Sequence, residues 1–240
     1  MKSIREFLSQ ERNSVVDFKG CSISILEDPK PKLLATDCVI MLDGLLSDLQ
    51  VLTAESFGTE LERHSCDGVR DHIVNVDALA FLHDGDNVLG FASSKRFPYD
   101  DSLFYLHGVA IADAFKGNGG SVALIKALMG LTPSTKIAFT SQNPIMFCAL
   151  RNMCSKVYPS PEQASIPLEF ERLGMDLVSG RPGDFDPKTF VAKNLYGRCL
   201  YNGLPDCRDK EVDLWFSSVL GADDQRYTQN AFLFIGDGYR

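Results

Sequence analysis

Hydrophobic patterning predicts a chain in which strands and helices alternate. Short apolar runs rich in β-branched and aromatic residues predict strands at 78–83, 88–93, 103–111 and 137–140. Further strands are predicted within 15–26 and at 231–235. Apolar residues spaced three and four apart predict helices after several of these strands and again near 168–177 and 212–220. The order up to residue 156 is strand, two helices, three strands, helix, strand, helix.

Polar residues between these runs predict where the elements begin and end. Thr36-Asp37 can begin a helix, and the capping box Ser47-x-x-Gln50 predicts that a second one begins at Asp48, after a weak point at Gly44. The tetrapeptide at 84–87 predicts a hairpin. Asn143-Pro144 predicts a helix N-terminus. Residues 1–16 read as a short amphipathic start.

The stretch 103–129 carries the clearest functional pattern. Its strand is followed by a turn at 112–115 and by the glycine-rich segment 116–121. Val122, Ile125, Leu128 and Met129 then form one apolar stripe of a helix. A glycine loop between a strand and a helix N-terminus predicts an anion site, because unpaired N–H groups and the helix dipole converge there.

The spacing of this loop distinguishes between phosphate-binding families. No lysine precedes Ser121, which excludes a P-loop, and Val122 stands where a dinucleotide fingerprint needs its third glycine. Lys116, Gly119 and Ser121 instead occupy the positions of Arg/Gln-x-x-Gly-x-Gly/Ala. The segment FKGNGGSVALIKAL resembles YRGKGIGSALLKAL of the GNAT acyl-CoA N-acyltransferases, and LHGVAI resembles their fourth strand, LHDLAV. A glycine turn that only joins packed elements is the alternative.

The resemblance implies an α/β (α+β mixed sheet) fold of GNAT type, with an insertion near the C-terminus. We expect a single domain over 1–240, with its core at about 15–156, a closing strand near 228–236 and an insertion or cap at 157–227. The implied activity is N-acetyltransfer from acetyl-CoA (coenzyme A) to a primary amine of a small molecule or protein by direct attack. A catalytically silent relative that binds CoA or a partner is one alternative, and a nucleotide-binding module is another.

The resemblance also implies site residues. Backbone groups of Val109, Ala110 and Ile111 would meet the thioester and pantetheine arm, and Asn143, also readable as an N-cap, would bind that arm. The pyrophosphate would be held by the loop residues Lys116, Gly117, Asn118, Gly119, Gly120 and Ser121. His107 is the candidate base, since a neutral imidazole can remove a proton near pH 7; a strand histidine satisfied by its neighbours is the alternative. Tyr105 lies two residues earlier on the same strand, so its side chain is expected on the same face as that of His107.

One position departs from the family pattern. Many members have a tyrosine seven residues after the asparagine, where it gives a proton to the CoA sulfur. Leu150 occupies that position here, and neither Cys148 nor Tyr158 has the right spacing.

Composition and charge exclude other classes of function. A net charge of −8 argues against nucleic-acid binding and is compatible with a cationic acceptor. Apolar runs fall short of a membrane span, and the first residues lack the apolar core of a signal peptide. Seven cysteines without a regular framework indicate reduced thiols and a cytoplasmic location. Neither these cysteines nor the four scattered histidines have the spacing of a metal site.

Overall fold

The structure, a computed structural model, describes residues 15–97, 100–163, 165–203, 205–220 and 229–239. The amphipathic start predicted for 1–16 lies outside the described residues, apart from its last two positions. The chain divides into two compact units, Met1–Pro133 and Ser134–Arg240. Whether 1–240 forms a single domain stays a prediction.

The described part of the first unit contains five strands, each paired antiparallel with the next one in sequence. These strands are β1 (Val15–Phe18), β2 (Cys21–Glu27), β3 (Ala78–His83), β4 (Val88–Arg96) and β5 (Leu103–Ile111). The predicted positions of β3 and β5 are confirmed residue by residue. The single strand predicted within 15–26 is wrong, because Lys19 and Gly20 adopt positive φ angles of 54° and 79° and turn the chain between β1 and β2.

Among the described residues, four helices accompany this sheet: α1 (Pro29–Leu33), α2 (Val39–Phe57), α3 (Cys66–Val74) and α4 (Gly120–Met129). The prediction of a helix break at Gly44 and a new start at Asp48 is wrong, because α2 is continuous. Gln50 does not complete a capping box there; its side-chain amide donates to the carbonyls of Leu61 and His64 instead.

The two faces of the sheet bury different helices. Ala110 of β5 belongs to a buried cluster with Leu42 and Leu49 of α2 and Ile73 of α3. The neighbouring Ile111 points to the opposite face, where α4 lies. Burial of these apolar stripes supplies the main stabilisation of the first unit.

The second unit is organised around its last strand. Its strands are β6 (Lys136–Ser141), β7 (Cys154–Tyr158), β8 (Phe185–Asp186), β9 (Val191–Ala192) and β10 (Ala231–Tyr239). Strand β10 pairs antiparallel with β6 along one edge, while β9 and β7 share its other edge. The predicted closing strand is confirmed.

In the part of this unit that the structure describes there are three helices: α5 (Pro144–Met153), α6 (Leu168–Val178) and α7 (Lys210–Leu220). The predicted helices near 168–177 and 212–220 are therefore confirmed. Aromatic rings of Phe147, Trp215 and Phe216 pack on Phe232 and Phe234 of β10, with centroid distances of 4.5 to 6.3 Å. This cluster fixes α5 and α7 against the strand. Over the described ranges, no helix has both the length and the apolar content needed to cross a membrane.

We expect two glycine-to-alanine changes to have opposite effects on stability. A Cβ at Gly236 would lie 2.5 Å from Cys154 Sγ and 2.7 Å from the buried Leu150, so Gly236→Ala should destabilise the fold by about 1–3 kcal/mol. A Cβ at Gly44, inside helix α2, meets nothing within 4 Å, so Gly44→Ala should stabilise by about 0.5–1 kcal/mol. Chemical denaturation followed by circular dichroism measures both. A stabilised Gly236→Ala variant would contradict the packing beneath β10.

Candidate functional site

The glycine loop leaves β5 and enters α4 through two left-handed residues. A 3₁₀ turn at Asp113–Phe115 follows the strand, after which Gly117 and Gly119 have φ angles of 69° and 85°. A Cβ at either position would meet nothing within 4 Å. The loop therefore needs glycine for its backbone conformation, and the space beside both residues is open.

Four successive backbone N–H groups at the start of α4 are unpaired. Within the described part of the chain, those of Gly119, Gly120, Ser121 and Val122 have no hydrogen-bond acceptor, and no side chain caps the helix. Such donors, together with the positive end of the helix dipole, favour an anion. The loop residues predicted as a pyrophosphate site thus form the backbone arrangement that this role requires.

Gly120 positions these donors next to the strand. A Cβ there would lie 2.8 Å from Ile111 Cδ1 and 3.4 Å from Phe115 Cβ. Gly90 of β4 is similar, since its Cβ would lie 2.5 Å from the same Ile111 Cδ1. The Ile111 side chain therefore occupies the space that both glycines leave, and α4 begins directly against β5.

Two lysines lie near the loop, and Lys116, which was expected to hold the pyrophosphate, is bound to other residues of the protein. Its ammonium forms an ion pair with Asp113 and donates to the carbonyl oxygen of Glu55 at 3.1 Å. A second cation is present, because Lys19 Nζ donates to the carbonyl oxygen of Asn118 at 3.0 Å. Sequence reasoning missed Lys19, which is 99 positions from Asn118 and carries no local motif.

The strand residues proposed for the thioester pair with β4. Val109 lies opposite Ala92, Ala110 opposite Phe91 and Ile111 opposite Gly90. The N–H of Ile111 also donates to Ser56 Oγ of α2 at 3.2 Å. Their contact with a thioester stays a prediction.

His107 lies at a β-bulge. Ser93 pairs with Gly108 and Ser94 with Leu106, so His107 is the extra residue of β5. Its ring packs on His72 of α3 with a centroid distance of 4.6 Å. A Cβ at Gly108 would lie 2.7 Å from His72 Nδ1, so this glycine makes room for the second imidazole.

Burial keeps His107 neutral. Only 14% of its side chain is exposed, and its Nε2 lies 3.5 Å from Asp71 Oδ2. Desolvation, with the nearby His72 and Lys95, lowers the pKa of His107 to about 3, although the Asp71 carboxylate opposes the shift. His72 and Asp71 were missed in the sequence because helix α3 was not predicted.

Tyr105 is buried on the same side of the sheet as His107. Tyr105 pairs with Lys95 of β4. Because residues two apart in a strand share a face, Lys95 lies on the same face as Ser93 and Phe91. Phe91 belongs to the cluster beneath α2 and α3, and His107 contacts α3. The shared face predicted for Tyr105 and His107 therefore agrees with the register.

Asn143 caps helix α5 in the second unit. Its Oδ1 accepts from the N–H of Ile145 at 2.9 Å, and its Nδ2 donates to Tyr201 Oη at 3.2 Å. Burial raises the pKa of the Tyr201 hydroxyl, which keeps this group protonated. The N-cap interpretation is confirmed, whereas a contact of Asn143 with a cofactor arm stays a prediction.

Leu150 lies in the core of the second unit. Its side chain is fully buried, and the chain of β10 passes so close that Gly236 has no room for a Cβ. Across the described residues, no group of three or more His, Cys, Asp or Glu side chains is arranged to hold a metal ion.

The sequence matches no protein-family model and no curated protein. Solved structures that are similar to it include acetyltransferases of the GNAT family. A GNAT-family protein from Desulfovibrio desulfuricans described as an acetyltransferase is 18% identical, with 56% of this chain and 87% of that chain covered and a TM-score of 0.39.

Two enzyme complexes are also similar. Diaminobutyrate acetyltransferase from Paenibacillus lautus, solved with L-2,4-diaminobutyric acid and coenzyme A, is 13% identical, with coverages of 92% and 97% and a TM-score of 0.43. N-acetylglutamate synthase from Neisseria gonorrhoeae, solved with coenzyme A and N-acetyl-glutamate, is 12% identical, with coverages of 91% and 35% and a TM-score of 0.37. At such TM-scores the likeness has no bearing on what this chain binds or acts on.

The pKa of His107 leads to a pH-dependent stability that can be measured. Because the unfolded imidazole has a pKa near 6.5 and the folded one about 3, the unfolded state binds more protons between these values. The stability that His107 contributes is therefore complete above pH 6.5 and falls as the pH decreases towards 3. Between pH 7 and pH 5 we expect a loss of up to about 2 kcal/mol from this residue.

The matched variant is His107→Gln, which cannot titrate. Urea denaturation of both proteins at pH 7 and pH 5 isolates the contribution, because the side chains of His72, Asp71 and Lys95 are present in both. Equal losses of unfolding free energy in the two proteins would show that His107 is not held neutral.

Proposed function

We propose that this protein is an N-acetyltransferase that moves the acetyl group of acetyl-CoA to a primary amine. The observation that carries the proposal is the unit formed by β5, the glycine loop and the unpaired N-terminus of α4. The sequence of this same unit resembles the pyrophosphate loop of GNAT acyltransferases. This unit concerns the cofactor alone, since the residues that select the acceptor amine lie in other parts of GNAT proteins.

The loop fits a pyrophosphate chemically. Four converging N–H groups can donate to phosphate oxygens, and the left-handed glycines leave open space at the point of closest approach. Lys19 supplies positive charge at the loop, whereas Lys116 is paired with Asp113 and would have to exchange this partner for a phosphate oxygen. We propose that the backbone of 119–122 holds the two phosphates and that Lys116 and Lys19 balance their charge.

Acetyl-CoA would supply the acetyl group as a thioester: a neutral amine would form the C–N bond, the C–S bond would break, and CoA would leave as a thiolate that takes a proton from water. The residues of this chain must then orient the amine and dispose of its proton. We propose that His107 and Tyr105 meet the amine on their common face of β5. A neutral His107 offers a lone pair to an N–H of the amine, which orients it for attack.

The low pKa of His107 limits its role in taking up the proton. An imidazolium with a pKa of about 3 returns its proton at once, so His107 is a weak general base in the state that the structure describes. We therefore assign it an orienting role, with water as the final proton acceptor. The pH–rate profile of His107→Gln tests whether this residue is the base.

A catalytically silent CoA-binding protein is the second candidate. It is favoured by Leu150, whose fully buried side chain occupies the position at which related enzymes have a proton donor. Incubation with acetyl-CoA and a panel of primary amines separates the two, with free thiol measured as the product. Thiol release that depends on an amine supports the proposal. Binding of acetyl-CoA without release by any amine favours the silent protein, and binding of ATP or NAD without CoA would favour a nucleotide-binding module.

The pyrophosphate assignment is tested by a charge added at Gly119. Gly119→Asp places a carboxylate beside the unpaired N–H groups, so it should weaken acetyl-CoA binding by at least tenfold, corresponding to about 1.4 kcal/mol or more. Gly119→Asn is the matched control, because it has the same size and the same backbone cost at φ 85° without the charge. Calorimetry measures both affinities. If Asp and Asn variants bind equally well, the loop is not the phosphate site.

The role of His107 is tested by the pH–rate profile of His107→Gln at saturating acetyl-CoA. For an orienting residue we expect a loss below about tenfold and an acidic limb that overlays that of the wild type, because His107 does not titrate near neutrality. A general base would instead show a loss of about 10²–10⁴ near neutral pH that is largely recovered at high pH. Tyr105→Phe should cost less than His107→Gln.

A further inference from the structure

The second unit places two thiols next to each other on facing elements. Cys148 lies in helix α5 and is half-buried, whereas Cys207 lies shortly before helix α7 and is buried. The two residues are far apart in sequence, yet their side chains are in hydrogen-bond contact. Both are free thiols. Neither residue takes part in the proposed acetyl transfer, so the chemistry of this pair is separate from it.

Contacts on either side of Cys148 hold helix α5 against the start of α7. Phe147, the preceding residue, packs edge-on against Trp215 of α7 with a centroid distance of 5.2 Å. Arg151, about one helical turn further along α5, donates to Asp209 Oδ2 at 2.8 Å. Because residues three apart on a helix are neighbours on its surface, Cys148 and Arg151 both lie towards the residues that precede α7.

Hydrogen bonds within its own segment fix the position of Cys207. Its N–H donates to Asp213 Oδ1 at 3.0 Å, and its Sγ donates to the carbonyl oxygen of Asp209 at 3.4 Å. Asp209 is also the ion-pair partner of Arg151. The same short segment therefore binds α5 through a carboxylate and presents its thiol to Cys148, and this arrangement does not depend on the contact between the two sulfurs.

The two thiols differ in accessibility and in protonation. Burial, together with hydrogen bonds to Asp213 and Cys148, raises the pKa of the Cys207 thiol to about 12. Since the thiolate is the nucleophile in thiol chemistry, Cys207 does not begin such a reaction near neutral pH. Cys148 is the more accessible of the two. A reagent from solution therefore meets Cys148 first, with Cys207 beside it.

We propose that Cys148 and Cys207 are an oxidation site, at which a small disulfide such as oxidised glutathione produces a reversible disulfide bond between α5 and the segment before α7. The bond joins two elements that the ion pair of Arg151 and Asp209 already holds together. It closes a long loop of the chain, so the oxidised protein is stabilised against unfolding.

The reaction is a thiol–disulfide exchange in two steps. Cys148 attacks one sulfur of oxidised glutathione, which forms a mixed disulfide and releases one glutathione. Cys207 then attacks the Cys148 sulfur and displaces the second glutathione, while its proton passes to the carboxylate of Asp213 that contacts the thiol. The two cysteines lose two protons and two electrons, and one molecule of oxidised glutathione becomes two of reduced glutathione.

The experiment treats the full-length protein with oxidised glutathione, alkylates the remaining thiols and digests with trypsin without reduction. Cleavage after lysine and arginine yields peptides 137–151 and 199–208, which contain Cys148 and Cys207. We expect these two peptides to be linked and to separate after dithiothreitol. Peptide 199–208 also contains Cys199, and fragmentation of the linked pair between Cys199 and Cys207 identifies the bonded residue.

Three variants test the order of the steps. Cys207→Ser should stop at the mixed disulfide of Cys148 with glutathione, whereas Cys148→Ser should form at least about tenfold less glutathione adduct on Cys207. Cys199→Ser is the matched control, because it removes a buried cysteine of the same peptide, and it should keep the link. The assay contains no acetyl-CoA, so its outcome does not depend on acetyl transfer.

Thermal unfolding of the wild type gives a measurement that needs no variant. We expect oxidation to raise its Tm by roughly 5 °C or more, with a return to the starting value on reduction. The same treatment of Cys148→Ser should leave its Tm unchanged.

Four results would overturn the proposal. The first is a link that fragmentation assigns to Cys199. The second is a glutathione adduct on Cys148 of the wild type that never proceeds to the linked peptides. The third is equal glutathione adduct on Cys207 in Cys148→Ser and on Cys148 in Cys207→Ser, which would contradict the order of attack. The fourth is a folded wild type in which neither thiol reacts.

Discussion

The contact of Ile111 with two glycines determines where the anion site can form. Ile111 is the last residue of β5, and its side chain fills the space left by Gly90 and Gly120. Any side chain at Gly120 would move the first turn of α4 away from the strand. Because the four unpaired N–H groups belong to that turn, their position at the end of β5 depends on the missing Cβ atoms. The candidate anion site thus depends on close packing in the core and not on a binding side chain.

The parts of this site that could be predicted are those encoded by neighbouring residues. A strand, a glycine loop and an apolar stripe within 103–129 have local patterns, so their elements were predicted with nearly correct bounds. Asn143-Pro144 is equally local, and the hydrogen bond to Ile145 confirms it as a helix start. What the sequence could not provide were partners that tertiary structure brings from a distance, such as Lys19 beside Asn118.

The errors have physical causes that are visible in particular residues. Gln50 fits a capping box in the sequence, yet its side chain donates to the carbonyls of Leu61 and His64, so these hydrogen bonds outweigh the local pattern. Helix α3 was missed because it is short and only Val69, Ile73 and Val74 are buried apolar residues in it, although Ser65 caps its N-terminus. Strand β7 was missed because α5 passes into it at Cys154 without a glycine or proline between them. The pKa of His107 was also beyond the sequence, since it depends on burial and on residues of α3.

The bulge in β5 is the position at which this strand can lose a residue without changing which side chains face each side of the sheet. Before His107 the odd-numbered Tyr105 faces α3, and after it the even-numbered Gly108 and Ala110 do, so the bulge exchanges the parity of the two faces. Deleting His107 would restore regular alternation, so the residues before and after it would keep their faces and only the imidazole would be lost. A deletion at any other position of β5 would turn some of its core residues towards the wrong face of the sheet.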